Sequence, residues 1–110
     1  MYSDLKKKIV IVAGGFRGNG KAIIKNFLDN GCIVYSLDIK YKKDKKDKKL
    51  TQICIDLTDL KKLEKLINKI GKQNKKIDIL VNNAGISLDY KKYNLESQWN
   101  QTININLKVP

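Results

Sequence analysis

The chain has 110 residues, a formal net charge of +12, no histidine and two cysteines. Two cysteines are too few for a disulfide framework, and without histidine they offer no plausible zinc ligand set, so we predict no metal site. The N-terminal residues form no long apolar segment, so we expect no signal peptide, no membrane span and no membrane partner, and we predict a cytoplasmic protein.

A glycine-rich turn follows the first predicted strand, the apolar run from Ile9 to Ala13. Gly14 permits a tight turn out of that strand, and Gly18 and Gly20 allow backbone N–H groups to approach a pyrophosphate. The helical pattern starts near Lys21, so the anion would face a helix N-terminus. A strand, a glycine turn and a helix in this order favour a phosphate cradle, although such a turn can also be purely structural.

The second predicted strand runs from Cys32 to Leu37 and is followed by Asp38. A carboxylate at this place can accept hydrogen bonds from the ribose hydroxyls of an adenosine cofactor. A 2′-phosphate would meet it as a like charge, which favours NAD over NADP. Arg17 and Lys40 act in the opposite direction, because either side chain can reach a phosphate.

A lysine-rich segment from Lys40 to Lys49 joins the second and third predicted strands, with seven lysines and two aspartates. We predict a solvated, mobile loop. The charge raises nucleic acid as a partner, but no aromatic and basic platform accompanies the lysines, so we predict no nucleic-acid role. Tyr41 and Lys45 show a Tyr-x3-Lys spacing, which we attribute to chance within a charged loop.

The third predicted strand, Gln52 to Ile55, leads into Asp56, which is placed to accept a hydrogen bond from an adenine amino group. Thr58 or Asp59 can cap the helix that follows. Apolar residues at helical spacing predict a helix that packs on the core. They are Leu60, Leu63, Leu66, Ile67 and Ile70.

The fourth predicted strand, Ile77 to Val81, runs into Asn82-Asn83-Ala84-Gly85. Small and amide residues at the carboxyl end of a parallel strand suit a ligand that lies over the sheet edge, and a bare turn is the alternative. The last segment, about Leu95 to Leu107, is predicted as a weak helix because Ile103 and Ile105 are β-branched.

The order of these motifs resembles that of the classical short-chain dehydrogenases and reductases, over nearly the whole chain. The motifs are Ala13 to Gly20, Asp38, Asp56 to Asp59, Asp78 to Gly85, and Trp99 with Asn106-Leu107. Arg17 stands where the extended short-chain enzymes, which include sugar-nucleotide epimerases, have glycine. An epimerase or dehydratase is therefore a less favoured alternative.

The resemblance implies a Rossmann-type α/β fold with a doubly wound parallel sheet of strand order 3-2-1-4, of which residues 1–110 form a partial NAD(P)-binding domain. It also implies hydride transfer between a nicotinamide and a hydroxyl or carbonyl substrate, in a protein that is a homo-oligomer when full length. Asn106 is the implied catalytic residue. The implied cofactor-binding residues are Gly14, Phe16, Arg17, Gly18, Asn19, Gly20, Asp38, Ile39, Asp56, Leu57, Asn83, Ala84 and Gly85.

Family members carry a serine and a Tyr-x3-Lys pair after the asparagine helix, and this sequence ends at Pro110 before them. We therefore expect the chain to supply the cofactor-binding half without turnover of its own, and its fourth strand to be an open edge. The alternative is a catalytically silent nucleotide-binding or regulatory protein. A serine and Tyr-x3-Lys in the coding DNA beyond Pro110 would favour the enzyme.

Overall fold

One sheet with strand order β3-β4-β2-β1-β5-β6 organises the chain. The computed structural model describes residues 5–85 and the strand at residues 103–105. The elements are β1 (Ile9–Ala13), α1 (Gly20–Asp29), β2 (Ile33–Leu37), β3 (Lys45–Asp47), β4 (Leu50–Ile53), α2 (Leu60–Asn74), β5 (Ile79–Asn82) and β6 (Ile103–Ile105).

The four predicted strands lie in the predicted order, because β4-β2-β1-β5 is the arrangement 3-2-1-4. All three pairings among them are parallel, with Ile9 opposite Ile33 and Val10 opposite Ile79. Parallel strands covered on both faces are apolar without alternation, which is why the run IVIVA forms the central strand. The α/β Rossmann-type fold is thereby confirmed.

Each helix covers one face of the sheet, and successive residues of β1 point to opposite faces. On the α1 face, Ile24 packs with Val10, Val12, Val34 and Val81. On the α2 face, the core contains Ile9, Ile11, Leu37, Leu57, Leu63, Ile67, Ile70, Ile77 and Leu80. Of the apolar stripe predicted for α2, Leu63, Ile67 and Ile70 are buried and Leu66 packs against the core, whereas Leu60 is 45% exposed, which corrects its predicted place in the core.

The predicted lysine-rich loop is wrong for part of its length. Residues Lys45–Asp47 form β3, which pairs antiparallel with β4 so that Lys45 lies opposite Gln52 and Asp47 opposite Leu50. Lys48 takes a positive φ of 55° in the tight turn between the two strands. Backbone hydrogen bonds of an edge strand require no apolar side chains, and exposed lysines blunt the outer edge against further pairing.

The expected helix near the C-terminus and the expected open edge are also corrected. Residues Ile103–Ile105 form β6, which pairs parallel with β5 so that Ile79 lies opposite Ile103 and Val81 opposite Ile105. β-Branched residues favour an extended backbone over a helix. Trp99 and Asn106, which belong to the same predicted helix, lie outside the described residues.

Candidate nucleotide-binding site

Three predicted site segments meet at the carboxyl ends of the parallel strands. The glycine turn joins β1 to α1, Asp38 follows β2, and Asn83 follows β5. From β1 the chain continues to β2 on one side, and β5 lies on the other, so β1 and β5 flank the point at which the strand order reverses. Ligands of open α/β sheets bind in the crevice at this point.

At Gly14 and Gly20 of the turn a Cβ would collide with backbone atoms. Gly14 has a φ of 89°, and a Cβ there would lie 2.8 Å from the Ala84 nitrogen. A Cβ on Gly20, the first residue of α1, would lie 2.5 Å from the Gly15 carbonyl oxygen. The Gly20 N–H donates to the Arg17 carbonyl at 2.9 Å. The N-cap residue Asn19 makes no side-chain capping bond, so its amide leaves the N–H groups of Lys21 and Ala22 open to an anion.

Asn83 fastens the glycine turn to the end of β5. Its Nδ2 donates to the carbonyl oxygens of Gly14 at 3.0 Å and Arg17 at 2.9 Å, and its backbone N–H donates to the Ala13 carbonyl at 2.9 Å. The residue is 3% exposed, and Oδ1 is buried with no hydrogen-bond partner among the described residues. Buried polar atoms are normally paired, so Oδ1 has acceptor capacity that the described residues do not use.

The Asp38 carboxylate lies buried beneath Arg17, which the sequence did not predict. Oδ2 accepts from the Phe16 N–H at 3.1 Å and from Arg17 Nε at 3.2 Å. Oδ1 accepts from Arg17 Nη2 at 3.1 Å and from the Lys40 N–H at 3.1 Å. Burial raises the pKa of Asp38, but the hydrogen bonds from Arg17, Lys40 and Phe16 outweigh it and hold the pKa below its ordinary value.

A cluster of two aromatic rings and two hydroxyl groups packs against the glycine turn. The Phe16 and Tyr41 rings meet edge to face with centroids 5.6 Å apart, and Lys21 Nζ lies 4.8 Å from the Phe16 centroid. The hydroxyls of Tyr41 and Ser36 are hydrogen-bonded at 2.5 Å. A Cβ on Gly15 would collide with Ser36 Oγ, so the turn rests directly on this pair.

Tyr41 was missed by the sequence interpretation, which assigned it to a charged loop. It is buried, and this burial raises the pKa of its phenol. Two signals point to the cluster: Ser36 is the polar residue inside an apolar strand, and Tyr41 is the aromatic residue inside a lysine run. A buried hydroxyl requires a partner, and these two provide each other with one.

The remaining predicted residues surround the same edge. Ile39 is 51% exposed beside Asp38, and Gly85 has a φ of 69°, where a Cβ would meet no described atom within 4 Å. Asp56 accepts from the N–H and the hydroxyl of Thr58, and these bonds lower its pKa. The side chain of Leu57 is buried in the α2-face core, so contact with a nucleotide would fall to its backbone.

The predicted cap of α2 is Asp59, whose Oδ1 accepts from the Lys62 N–H at 3.2 Å. Cys32 is buried, whereas Cys54 is exposed. Within residues 5–85 no cluster of three potential metal-ligating side chains occurs. In the described part of the chain, neither helix is long and apolar enough to cross a membrane.

The fold and the arrangement of the strand ends define an α/β domain of the Rossmann type. A family sequence model described as short chain dehydrogenase matches residues 8–110. The chain therefore belongs to the short-chain dehydrogenase family.

Two curated relatives show the same family relationship. The chain is 32% identical over 114 residues to a 3alpha-hydroxysteroid dehydrogenase of Mediterraneibacter gnavus, covering 94% of this chain and 45% of the relative. It is 35% identical over 111 residues to an NAD-dependent glycerol dehydrogenase of Listeria innocua, covering 96% of this chain and 44% of the relative. The chain thus spans less than half the length of these relatives.

Solved structures agree with the fold. A short chain dehydrogenase from Leptospira borgpetersenii with bound NAD+ superposes with a TM-score of 0.66 and 31% identity, over 80% of this chain and 35% of that one. A C-terminal deletion mutant of Thermoplasma acidophilum aldohexose dehydrogenase gives a TM-score of 0.69 and 29% identity, over 94% of this chain and 50% of that one.

Proposed function

We propose that this chain forms the cofactor-binding half of an NAD-dependent oxidoreductase whose substrate is a small molecule with a hydroxyl or carbonyl group. One observation carries the proposal. The glycine turn at the N-terminus of α1 is held against Ala84 and Asn83 at the carboxyl edge of a parallel sheet. The Leptospira structure with bound NAD+ and the NAD-dependent Listeria relative support a nicotinamide cofactor.

The residues present fit such a cofactor. Gly14 and Gly20 have no room for a Cβ, so only glycine lets the turn pack this closely against Ala84 and against its own backbone. The uncapped N-terminus of α1 supplies N–H donors with the positive end of the helix dipole, and Lys21 adds a cation beside Phe16. Asn83 Oδ1, which has no partner among the described residues, would be an acceptor for a donor that reaches it, such as an ordered water.

The chemistry is divided between the cofactor and the chain. When bound, the nicotinamide would accept or donate the hydride. The residues of this chain would bind and orient the adenosine half, with Asp38, Ile39, Asp56 and Leu57 around adenine and its ribose. Asn106 is proposed as the catalytic side chain, as the family resemblance implies, and the full-length protein is proposed to be a homo-oligomer.

The preference for NAD follows from the charge at the end of β2. Asp38 carries a negative charge held by a lowered pKa, and a 2′-phosphate would face it. Arg17 already pairs with this carboxylate, which reduces the positive charge that it can offer a phosphate. Lys40 contacts Asp38 through its uncharged backbone N–H, so this hydrogen bond offers no positive charge to a phosphate.

Calorimetric titration with NAD and NADP tests the proposal. We expect tighter binding of NAD by the unmodified chain and a weaker preference in Asp38→Ala. Asp29→Ala is the matched control, since it removes an exposed carboxylate paired with Lys25 at the end of α1. Tighter binding of NADP by the unmodified chain would overturn the cofactor choice, and no binding of either dinucleotide would overturn the function.

A further inference from the structure

The Asp38 carboxylate has little capacity left for a ligand. A carboxylate offers about four lone-pair positions, and Asp38 receives four hydrogen bonds from Phe16, Arg17 and Lys40. Its side chain is fully buried. A ribose hydroxyl that is to donate to this carboxylate must therefore replace one of the present donors.

The donors differ in how easily they can leave. The N–H groups of Phe16 and Lys40 are fixed by the backbone on both sides of the carboxylate. The Arg17 guanidinium, in contrast, belongs to a long side chain that is 43% exposed. Rotation of that side chain toward solvent would uncover both carboxylate oxygens, because it donates to each of them.

We propose that Arg17 sets the affinity for adenosine nucleotides by competing with the ribose 2′-hydroxyl for Asp38. This inference rests on the proposed function and adds a specificity-determining role for Arg17. Displacement of the guanidinium lowers the apparent affinity by the cost of breaking the ion pair. For a partly exposed pair this cost corresponds to about threefold to fivefold in the dissociation constant.

A comparison of two ligands isolates this competition. ADP carries the ribose 2′-hydroxyl, and 2′-deoxy-ADP does not. The two nucleotides have equal charges. A loss of electrostatic attraction in an Arg17 variant therefore weakens both equally and cancels in the ratio of their dissociation constants. We expect the ratio of the 2′-deoxy-ADP to the ADP dissociation constant to rise about threefold to fivefold in Arg17→Met. Arg17→Lys keeps the positive charge but lacks the planar guanidinium that donates to both carboxylate oxygens, so it should give an intermediate ratio.

The control variant is Lys25→Met, which removes a cation from the exposed Lys25–Asp29 pair on α1. In Lys25→Met, the ratio of the 2′-deoxy-ADP to the ADP dissociation constant should equal that of the unmodified chain. An unchanged or smaller ratio in Arg17→Met would overturn the competition while leaving nucleotide binding intact. If neither the unmodified chain nor Arg17→Met binds ADP, the proposed function falls together with this inference.

A second measurement needs no substitution. Arg17 is the only arginine of the sequence, so its Nε–H gives a single NMR signal. Saturation with ADP should increase the hydrogen-exchange rate of this N–H more than saturation with 2′-deoxy-ADP. The same exchange rate with both nucleotides would contradict displacement even if Arg17→Met failed to fold.

Discussion

Gly14 lies directly against Ala84, so the gap between the glycine turn and the end of β5 is too small for even one methyl group. A Cβ on Gly14 would approach the Ala84 nitrogen to 2.8 Å and its Cβ to 2.9 Å. Backbone atoms and a short side chain cannot move away easily. The close approach therefore fixes how the turn is placed over the crevice between β1 and β5.

Gly14→Ala is predicted to weaken NAD binding at least tenfold, about 1.4 kcal/mol, by moving the turn away from β5. Gly31→Ala is the control. Gly31 has a similar φ of 84° at the other end of the sheet, where a Cβ would meet the flexible Lys6 side chain. Both variants should lose about 1 to 2 kcal/mol of stability from the left-handed backbone. Equal effects on calorimetric NAD affinity would contradict a specific role of the Gly14 contact.

Asn83→Asp should destabilise the chain by about 3 kcal/mol, because it removes the donor to two carbonyl oxygens and introduces a buried charge. The control Asn30→Asp changes an exposed amide that donates to the Asn26 carbonyl at the end of α1, and it should cost less than about 1 kcal/mol. Urea unfolding measures both. A cost for Asn83→Asp as small as that of the control would show that its bonds do not hold the turn.

The parallel sheet could be predicted from the sequence because its strands are apolar runs of the right length. Ile9–Ala13 is uniformly buried, as an apolar run without alternation predicts for a central parallel strand. Side-chain pairing could not be predicted. The encounter of Arg17 with Asp38 depends on how the turn folds back over β2, and the partnership of Ser36 with Tyr41 depends on a bend after Asp38.

The edges of the sheet could not be predicted either. Residues 45–47 carry no hydrophobic signal, because an edge strand is held by its backbone bonds to one neighbour. Ile103–Ile105 carried a mixed signal, since its spacing resembled the family's helix while its β-branched residues favoured a strand. Local patterns therefore failed where pairing between distant segments decides the structure.

Stability should depend on pH through Asp38. Its pKa is lowered in the folded chain, so its stabilising contribution is present above the unfolded pKa of about 3.9 and is lost as the pH falls through the folded value. The difference in unfolding free energy between the unmodified chain and Asp38→Asn should therefore shrink from pH 6 to pH 3. Asp29→Asn supplies the exposed control. A difference independent of pH would show that the carboxylate is not ionised against Arg17.

Asp78 should stabilise the fold without contributing to binding, because it lies at the amino ends of the parallel strands and the candidate site lies at their carboxyl ends. Its Oδ2 accepts from the Ile9 N–H at 2.7 Å and pairs with Lys76 Nζ at 3.1 Å, and the side chain is buried. We expect Asp78→Ala to cost about 3 kcal/mol in urea unfolding and Lys76→Met less than about 1 kcal/mol. NAD affinity of the folded fraction should be unchanged in both. A selective loss of affinity in Asp78→Ala would place its effect at the site.

The lysine-rich hairpin should protect the sheet edge without touching the cofactor. Replacing residues 42–49 with a Gly/Ser linker removes β3 and also the Asp44 carboxylate that accepts from the Cys54 N–H at 2.8 Å. We expect lower stability and increased self-association by size-exclusion chromatography, because β4 then becomes an open edge. NAD affinity should stay within about twofold, since Tyr41 and its contacts are retained.

The matched control keeps the strand and removes the same charge. Residues 42–49 contain six lysines and two aspartates, so changing four of the lysines to glutamine lowers the net charge as much as the linker does. Suitable positions are Lys42, Lys43, Lys45 and Lys46, which are all exposed. The glutamine variant should elute like the unmodified chain if strand pairing protects the edge, and it should self-associate further if the charge alone protects it. A large loss of NAD affinity in both variants would show that these lysines contact the cofactor, most directly through a phosphate.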